Sequence, residues 1–214
     1  MNKTEEIFDI YDKNMNWLGA APRSEVHAKG LWHQTFQCWI VTHEGGEPAL
    51  LLQLRHPDKD LFPNLLDISC AGHLAAGETT KEGARELEEE LGLKVNFDQL
   101  MPCGIFAEED LISENLIDRE FCHVFVHRCD QQLQAYVLQP DEVSGIFAVK
   151  AASFERLIHS EMDELTANGY RLNAAGFLEE ENLVVRLEQI VPHPTAYYEL
   201  VFRKLREYGF IPQA

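Results

Sequence analysis

The run Gly72-His73-Leu74-Ala75-Ala76-Gly77-Glu78 is followed, after Thr79 to Ala84, by Arg85-Glu86-Leu87-Glu88-Glu89-Glu90-Leu91-Gly92-Leu93. Read as a helix, the second half puts Glu86, Glu89 and Glu90 at i, i+3 and i+4, on one face about a turn long. Three carboxylates gathered there repel one another, and a divalent cation relieves the repulsion. Magnesium suits the arrangement, with manganese as the alternative: a hard cation takes a few carboxylates and completes its shell with water and substrate phosphates. An acidic solvated helix would account for the glutamates alone. It would not account for Gly72, the Gly77-Glu78 turn, the Arg85-Glu86 pair, or Gly92 standing where a helix C′ glycine belongs.

At these residues the chain resembles the Nudix hydrolases, whose box reads G-x5-E-x7-R-E-U-x-E-E-x-G-U with U aliphatic. Six residues, Thr79 to Ala84, separate Glu78 from Arg85 where the pattern has seven, so the loop carrying Glu78 must be one residue tighter. The resemblance implies an α/β fold, an α/β/α sandwich on a mixed sheet, with a divalent metal held by Glu86, Glu89 and Glu90. It implies that Arg85 orients a box glutamate, and it makes Glu120, on a later strand, a further ligand or the general base.

A second resemblance lies outside the box. Arg55 and Lys59, ahead of Phe62-Pro63, match the basic pair with which the isopentenyl diphosphate isomerases, which share the Nudix fold, hold their diphosphate. His27, His33 and His73 match that family's metal-binding histidines, the first two standing one residue closer together here. Asp118 and Glu120 fall where the family has a pair of metal-binding glutamates. Arg55, Lys59, His33 and His73 are accordingly expected around the substrate, and three imidazoles with two carboxylates also form a donor set for a transition metal.

Ala71 stands where the isomerases carry their catalytic cysteine, and alanine transfers no proton. Cys70 is adjacent, but neighbouring side chains of an extended segment point to opposite faces, which makes it a core residue. The isomerases also tend to lack the complete Arg-Glu-aliphatic-x-Glu-Glu run. The balance favours a magnesium-dependent hydrolase cleaving a diphosphate bond in a small nucleoside-diphosphate-linked or prenyl diphosphate substrate. An isomerase-like enzyme is the alternative. A non-catalytic sensor of a nucleotide or diphosphate is the third reading, against which the intact glutamates speak.

Composition sets the outer limits. With 214 residues, 45% of them hydrophobic, the chain can bury one sizeable core. A net charge of −18 repels nucleic-acid backbones and anionic membrane surfaces. The first residues lack the succession of a signal peptide, and no apolar run approaches membrane-spanning length, so a cytoplasmic location is expected. Five cysteines, odd in number and mostly in apolar runs, suit reduced core thiols better than a disulfide framework.

Ile7 to Tyr11 and Trp17-Leu18 suggest an opening hairpin, and Thr35 to Thr42 with Ala49 to Leu54 a second, across Gly45-Gly46. A short strand at Leu65 to Ser69 leads into the box, a helix runs from about Thr80 to Leu91, and strands follow at Val95 to Ala107 and Glu120 to His127. After Gly145 to Val149 the pattern turns helical, at Ala152 to His159 and Thr195 to Tyr208. The expected division is therefore a catalytic domain over 1–150 and a helical C-terminal extension over 151–214, packed on the core. Glu161 to Glu181 fits neither pattern. Pro192-His193-Pro194 precedes the last helix, whose Tyr197, Leu200, Val201 and Leu205 offer an apolar face to the core or, in a homodimer, to a second copy. Trp32, Phe36 and Trp39 read as core aromatics ahead of a pocket for a base or prenyl tail.

Overall fold

A computed structural model describes residues 5–113 and 116–213. Its centre is the hairpin of β3 (His33–Glu44) and β4 (Glu47–Arg55), turned at Gly45 and Gly46, which both take positive φ as a tight hairpin demands. Both strands are buried over most of their length, the mark of strands covered on two faces. Parallel to β3 lies β8 (Leu116–Arg128), with β7 (Met101–Ser113) antiparallel outside it. On the other side β9 (Val143–Lys150) pairs with β4, giving a mixed sheet.

β3 and β4 stay paired only from Val41↔Leu50 to Glu44↔Glu47. Beyond that they part, and the connecting chain fills the wedge: β5 (Leu66–Asp67) pairs with β4, and β6 (Cys70–His73) pairs with β3. On one face α2 (Thr80–Gly83) and α3 (Glu86–Leu91) lie against the core of Phe36, Cys38, Ile40 and Leu51. On the other, α4 (Ala151–Ile158) and α5 (Thr195–Glu207) cover Trp39, Leu50, Leu52 and Val124. The hairpin of β1 (Ile7–Tyr11) and β2 (Trp17–Pro22), with α1 (Arg23–Lys29), closes around Phe8, Ala21 and Val26. Among the described residues no helix is long and apolar enough to cross a membrane.

The helix expected over 80–91 is two short pieces. Arg85 N–H donates to the Glu82 carbonyl and Leu87 N–H to the Ala84 carbonyl, three residues back in each case. These tighter turns divide the segment between Gly83 and Glu86. Gly92, at φ 65°, ends α3 with the Leu93 N–H reaching back to the Leu87 carbonyl at 2.9 Å, a Schellman closure.

Beyond residue 150, α4 and α5 form where the periodicity put them. Between them the unassigned stretch forms strands β10 (Leu165–Leu172) and β11 (Leu178–Val185), and β10 pairs with β9. The extension thus continues the sheet as well as adding helices. Phe36 and Trp39 are core, and Trp32 stacks on Phe121 at 4.7 Å. All five cysteines are free thiols, four of them buried.

Tyr197, Val201 and Leu205 of α5 turn into the sheet, so the apolar face of the last helix is used within the chain. The Tyr197 hydroxyl accepts from Trp39 Nε1 at 3.0 Å and donates to Gln37 Oε1 at 2.7 Å. His193, just ahead of the helix, stacks on Tyr197 at 4.6 Å. Its Nδ1 lies 2.9 Å from Glu108 Oε1, and its Nε2 lies 3.7 Å from Asp67 Oδ1.

Two expectations follow. A Cβ at Gly169 would lie 2.1 Å from the Ile146 carbonyl, so Gly169→Ala should force β10 from β9 and cost about 1–3 kcal/mol in urea unfolding. Burial lowers the proton affinity of His193, but Asp67 and Glu108 override it and raise the group from its ordinary 6.5 to about 10. A raised imidazole stabilises the fold fully below pH 6.5 and loses that contribution as pH climbs to about 10. Arg55, which pairs with Asp67, Asp110 of the same strand as Glu108, and Tyr197 and Tyr198 also face it. Thermal unfolding from pH 6 to 10 should show the decline in wild type and a flatter profile in His193→Gln.

Candidate active site

The box closes on itself through Arg85. Its Nε and one terminal nitrogen donate to the two oxygens of Glu78 at 3.1 and 3.0 Å, and its other terminal nitrogen pairs with Glu86. Glu78 also accepts the Ala75 N–H at 2.8 Å, so the shortened loop still brings Glu78 to the helix. Glu89 Oε2 lies 3.6 Å from the same guanidinium but is more than half exposed.

Glu86 and Glu90 lean on β6. A Cβ on Gly72 would sit 2.3 Å from Glu86 Cδ, so only glycine admits this carboxylate beside the strand. Glu90 Oε2 takes contacts at 3.4 Å from both Gln53 Nε2 and the Ala71 N–H. Burial, with Glu86 close by, raises Glu90 to about 8, and burial raises Glu86 as well. Two buried carboxylates that resist ionisation are stabilised by a nearby cation. Lys59 supplies part of that field at Glu90 and pairs with Glu142. Arg55 donates to Asp67 Oδ2 at 2.7 Å and to the Leu61 carbonyl at 3.0 and 3.1 Å.

The second group is buried on the other face. His33 begins β3, His73 ends β6, His27 comes from α1, and Asp118 and Glu120 lie on β8. Nε2 of His27 and of His33 each lie 3.7 Å from Asp118 Oδ1. Glu120 Oε1 lies 3.7 Å from His33 Nε2 and 3.5 Å from His73 Nε2, while its other oxygen accepts from Thr35. Phe8 stacks on His33 and His73 and excludes water from one side.

Burial lowers all three imidazoles, His33 to about 4, and leaves them neutral, the form that ligates metal. The Nε2 atoms of the three histidines and Asp118 Oδ1 are buried without hydrogen-bond partners. Orphans at this spacing fit donors around one ion, which sit about 3–4 Å apart for bonds near 2.1 Å. His33 Nδ1 faces the Leu31 carbonyl at 3.1 Å, which leaves Nε2 with its lone pair. His73 Nδ1 faces Arg23 at 3.3 Å, so ligation through its Nε2 requires Arg23 to turn to Glu6, already 2.7 Å away.

The structure therefore separates residues that the sequence pooled. Glu86 and Glu90 come together, and Glu89 stands on their open side. Glu120, His33 and His73 belong to the histidine group, with His27 and Asp118. Arg55 and Lys59 border the wedge. Cys70 is wholly buried against the α3 face. Three polar residues escaped sequence reasoning: Asp67, Glu108 and His193, which are brought together from three separated stretches of chain. A histidine locked between two prolines was the one local signal.

The family model described as NUDIX domain matches residues 31–169. An uncharacterised Nudix hydrolase of Clostridium acetobutylicum is 39% identical over 203 residues, covering 95% of this chain and 98% of that protein. An isopentenyl-diphosphate Delta-isomerase of Photorhabdus laumondii is 33% identical over 163 residues, covering 76% of this chain and 87% of the relative. The crystal structure of a Deinococcus radiodurans protein superposes with a TM-score of 0.54 at 25% identity, covering 72% of this chain and 90% of that one. The family generally employs a divalent metal. With its box, its mixed sheet and these relatives, the chain belongs to the Nudix family and is an enzyme of the pyrophosphohydrolase class.

Proposed function

We propose that this enzyme is a magnesium-dependent hydrolase of a small, nucleoside-linked or prenyl-type diphosphate, with manganese able to replace magnesium. The observation that carries the reading is the pair Glu86 and Glu90, set against Gly72 and Ala71 of β6 at the mouth of the wedge. When bound there, a divalent cation neutralises the diphosphate and lowers the pKa of a coordinated water. Glu86 and Glu90 would hold it. Glu89, the most exposed of the three, completes the ligand set or takes the proton of the attacking water. Arg85 keeps Glu86 in place from the Glu78 side, and Arg55 and Lys59 receive phosphate oxygens. Water forms a new P–O bond as the bridging P–O bond breaks, and two phosphorylated products leave.

His27, His33, His73, Asp118 and Glu120 are assigned to a second divalent ion, with Glu120 as the alternative general base. This group favours a second reading, isomerisation of an isopentenyl-type diphosphate. The burial of Cys70 in the opposite core and alanine at position 71 weigh against it, because proton transfer across a double bond lacks its thiol.

Release of phosphate from a panel of diphosphates should require added magnesium or manganese, cease with a chelator, and fall about 10²-fold or more in Glu86→Gln. Cys70→Ala should keep the hydrolytic rate within about twofold. Conversion of isopentenyl to dimethylallyl diphosphate, abolished by Cys70→Ala, would replace hydrolysis by isomerisation.

A further inference from the structure

We infer that His193 is a positioning residue of this active site, a bridge that ties the Arg55 arm to the histidine and carboxylate group. Residue 193 lies outside the segment matched by the family model, which ends at 169. The inference rests on the hydrolase reading for what the site does, but not for what His193 holds.

Pro192 and Pro194 restrict the backbone on both sides, and Tyr197 packs on the ring. The imidazole is thus held by its face, with both nitrogens turned to carboxylates. Each carboxylate also makes a contact beyond the imidazole. Asp67 Oδ2 takes the Arg55 guanidinium at 2.7 Å. Glu108 Oε2, which also lies 3.1 Å from His193 Nδ1, is 3.8 Å from the Cys122 sulfur, and that sulfur is 3.5 Å from Glu120 Oε2. One side chain therefore has an arm to the basic residue bordering the wedge and an arm to the buried donor set.

A plain packing role would be filled by any aromatic ring stacked on Tyr197. It would not require a ring nitrogen opposite each carboxylate, nor leave Nε2 buried with no hydrogen-bond partner at 3.7 Å from Asp67. Without the imidazole, Asp67 is left with Arg55 as its charged partner and Glu108 loses the cation it faces. Arg55 is then drawn inward or released, and Glu108 presses on Glu120, its cross-strand partner. The raised proton affinity of His193 and the lowered one of Asp67, about 2, agree with an ion bridge.

The test uses the full chain, with inorganic pyrophosphate and Mn2+ as probes: Mn2+ binding by electron paramagnetic resonance and pyrophosphate binding by calorimetry. His193→Gln should weaken both by roughly 10-fold or more, as outer partners of a site do. Tyr198→Phe, which removes a hydroxyl bond of the same segment to the Val191 carbonyl, should leave both within twofold. Asp67→Asn should weaken pyrophosphate alone and Glu108→Gln should weaken Mn2+ alone, and these two carry the test if His193→Gln does not fold. Unchanged affinities in folded His193→Gln, or equal losses of both probes in the two single-arm variants, would overturn the bridge. Intact dependence on His193 in a chain that hydrolyses no diphosphate would sink the hydrolase reading and leave the bridge standing.

Discussion

The parting of β3 from β4 is the constraint from which the rest follows. Two strands that separate leave unpaired backbone amides and carbonyls, and a buried sheet does not tolerate them. The chain repairs the gap with β5 and β6, and this brings Gly72 into contact with Glu86 and Ala71 into contact with Glu90. The box is therefore an inserted plug, shaped on one side by a glycine and on the other by a guanidinium that gathers Glu78, Glu86 and Glu89.

Electrostatics on the two faces is handled in different ways. Beside α3, the box carboxylates are answered by Arg85 and by Lys59, cations at the rim that a polyanion can share. Across the sheet, neutral imidazoles sit among carboxylates whose proton affinity burial has raised, Asp118 to about 6 and Glu120 well above the ordinary range. The first arrangement suits an exchanging ion that arrives with substrate. The second suits a resident one, covered on one side by Phe8.

What was legible in the sequence was local. Spacing within one helix exposed Glu86, Glu89 and Glu90, alternation put Cys70 in the core, and a positive-φ glycine marked the end of α3. Paired apolar runs revealed β3 and β4, and the three- and four-residue periodicity of α5 revealed the face that carries Tyr197. Less was legible where pairing partners supply the stability. β10 and β11 hold acidic and apolar residues without clean alternation, and only their register with β9 and each other makes them strands. The split of the expected box helix is settled by turn hydrogen bonds, Arg85 to Glu82 and Leu87 to Ala84, that no residue pattern announces. Asp67, Glu108 and His193 carry no shared motif, and nothing in a linear reading says that they meet.

The distances along the chain between partners have a further meaning. Tyr197 bonds Gln37 across 160 positions, Arg23 approaches His73 across 50, and His193 reaches Glu108 across 85. Loop closure over such spans is slow and is rewarded only when the sheet already exists. During synthesis, the ribosome would thus release most of the sheet before the segment that completes its α5 face. The face of the sheet that Tyr197 and Gln37 join is therefore completed only after the strands beneath it have been made.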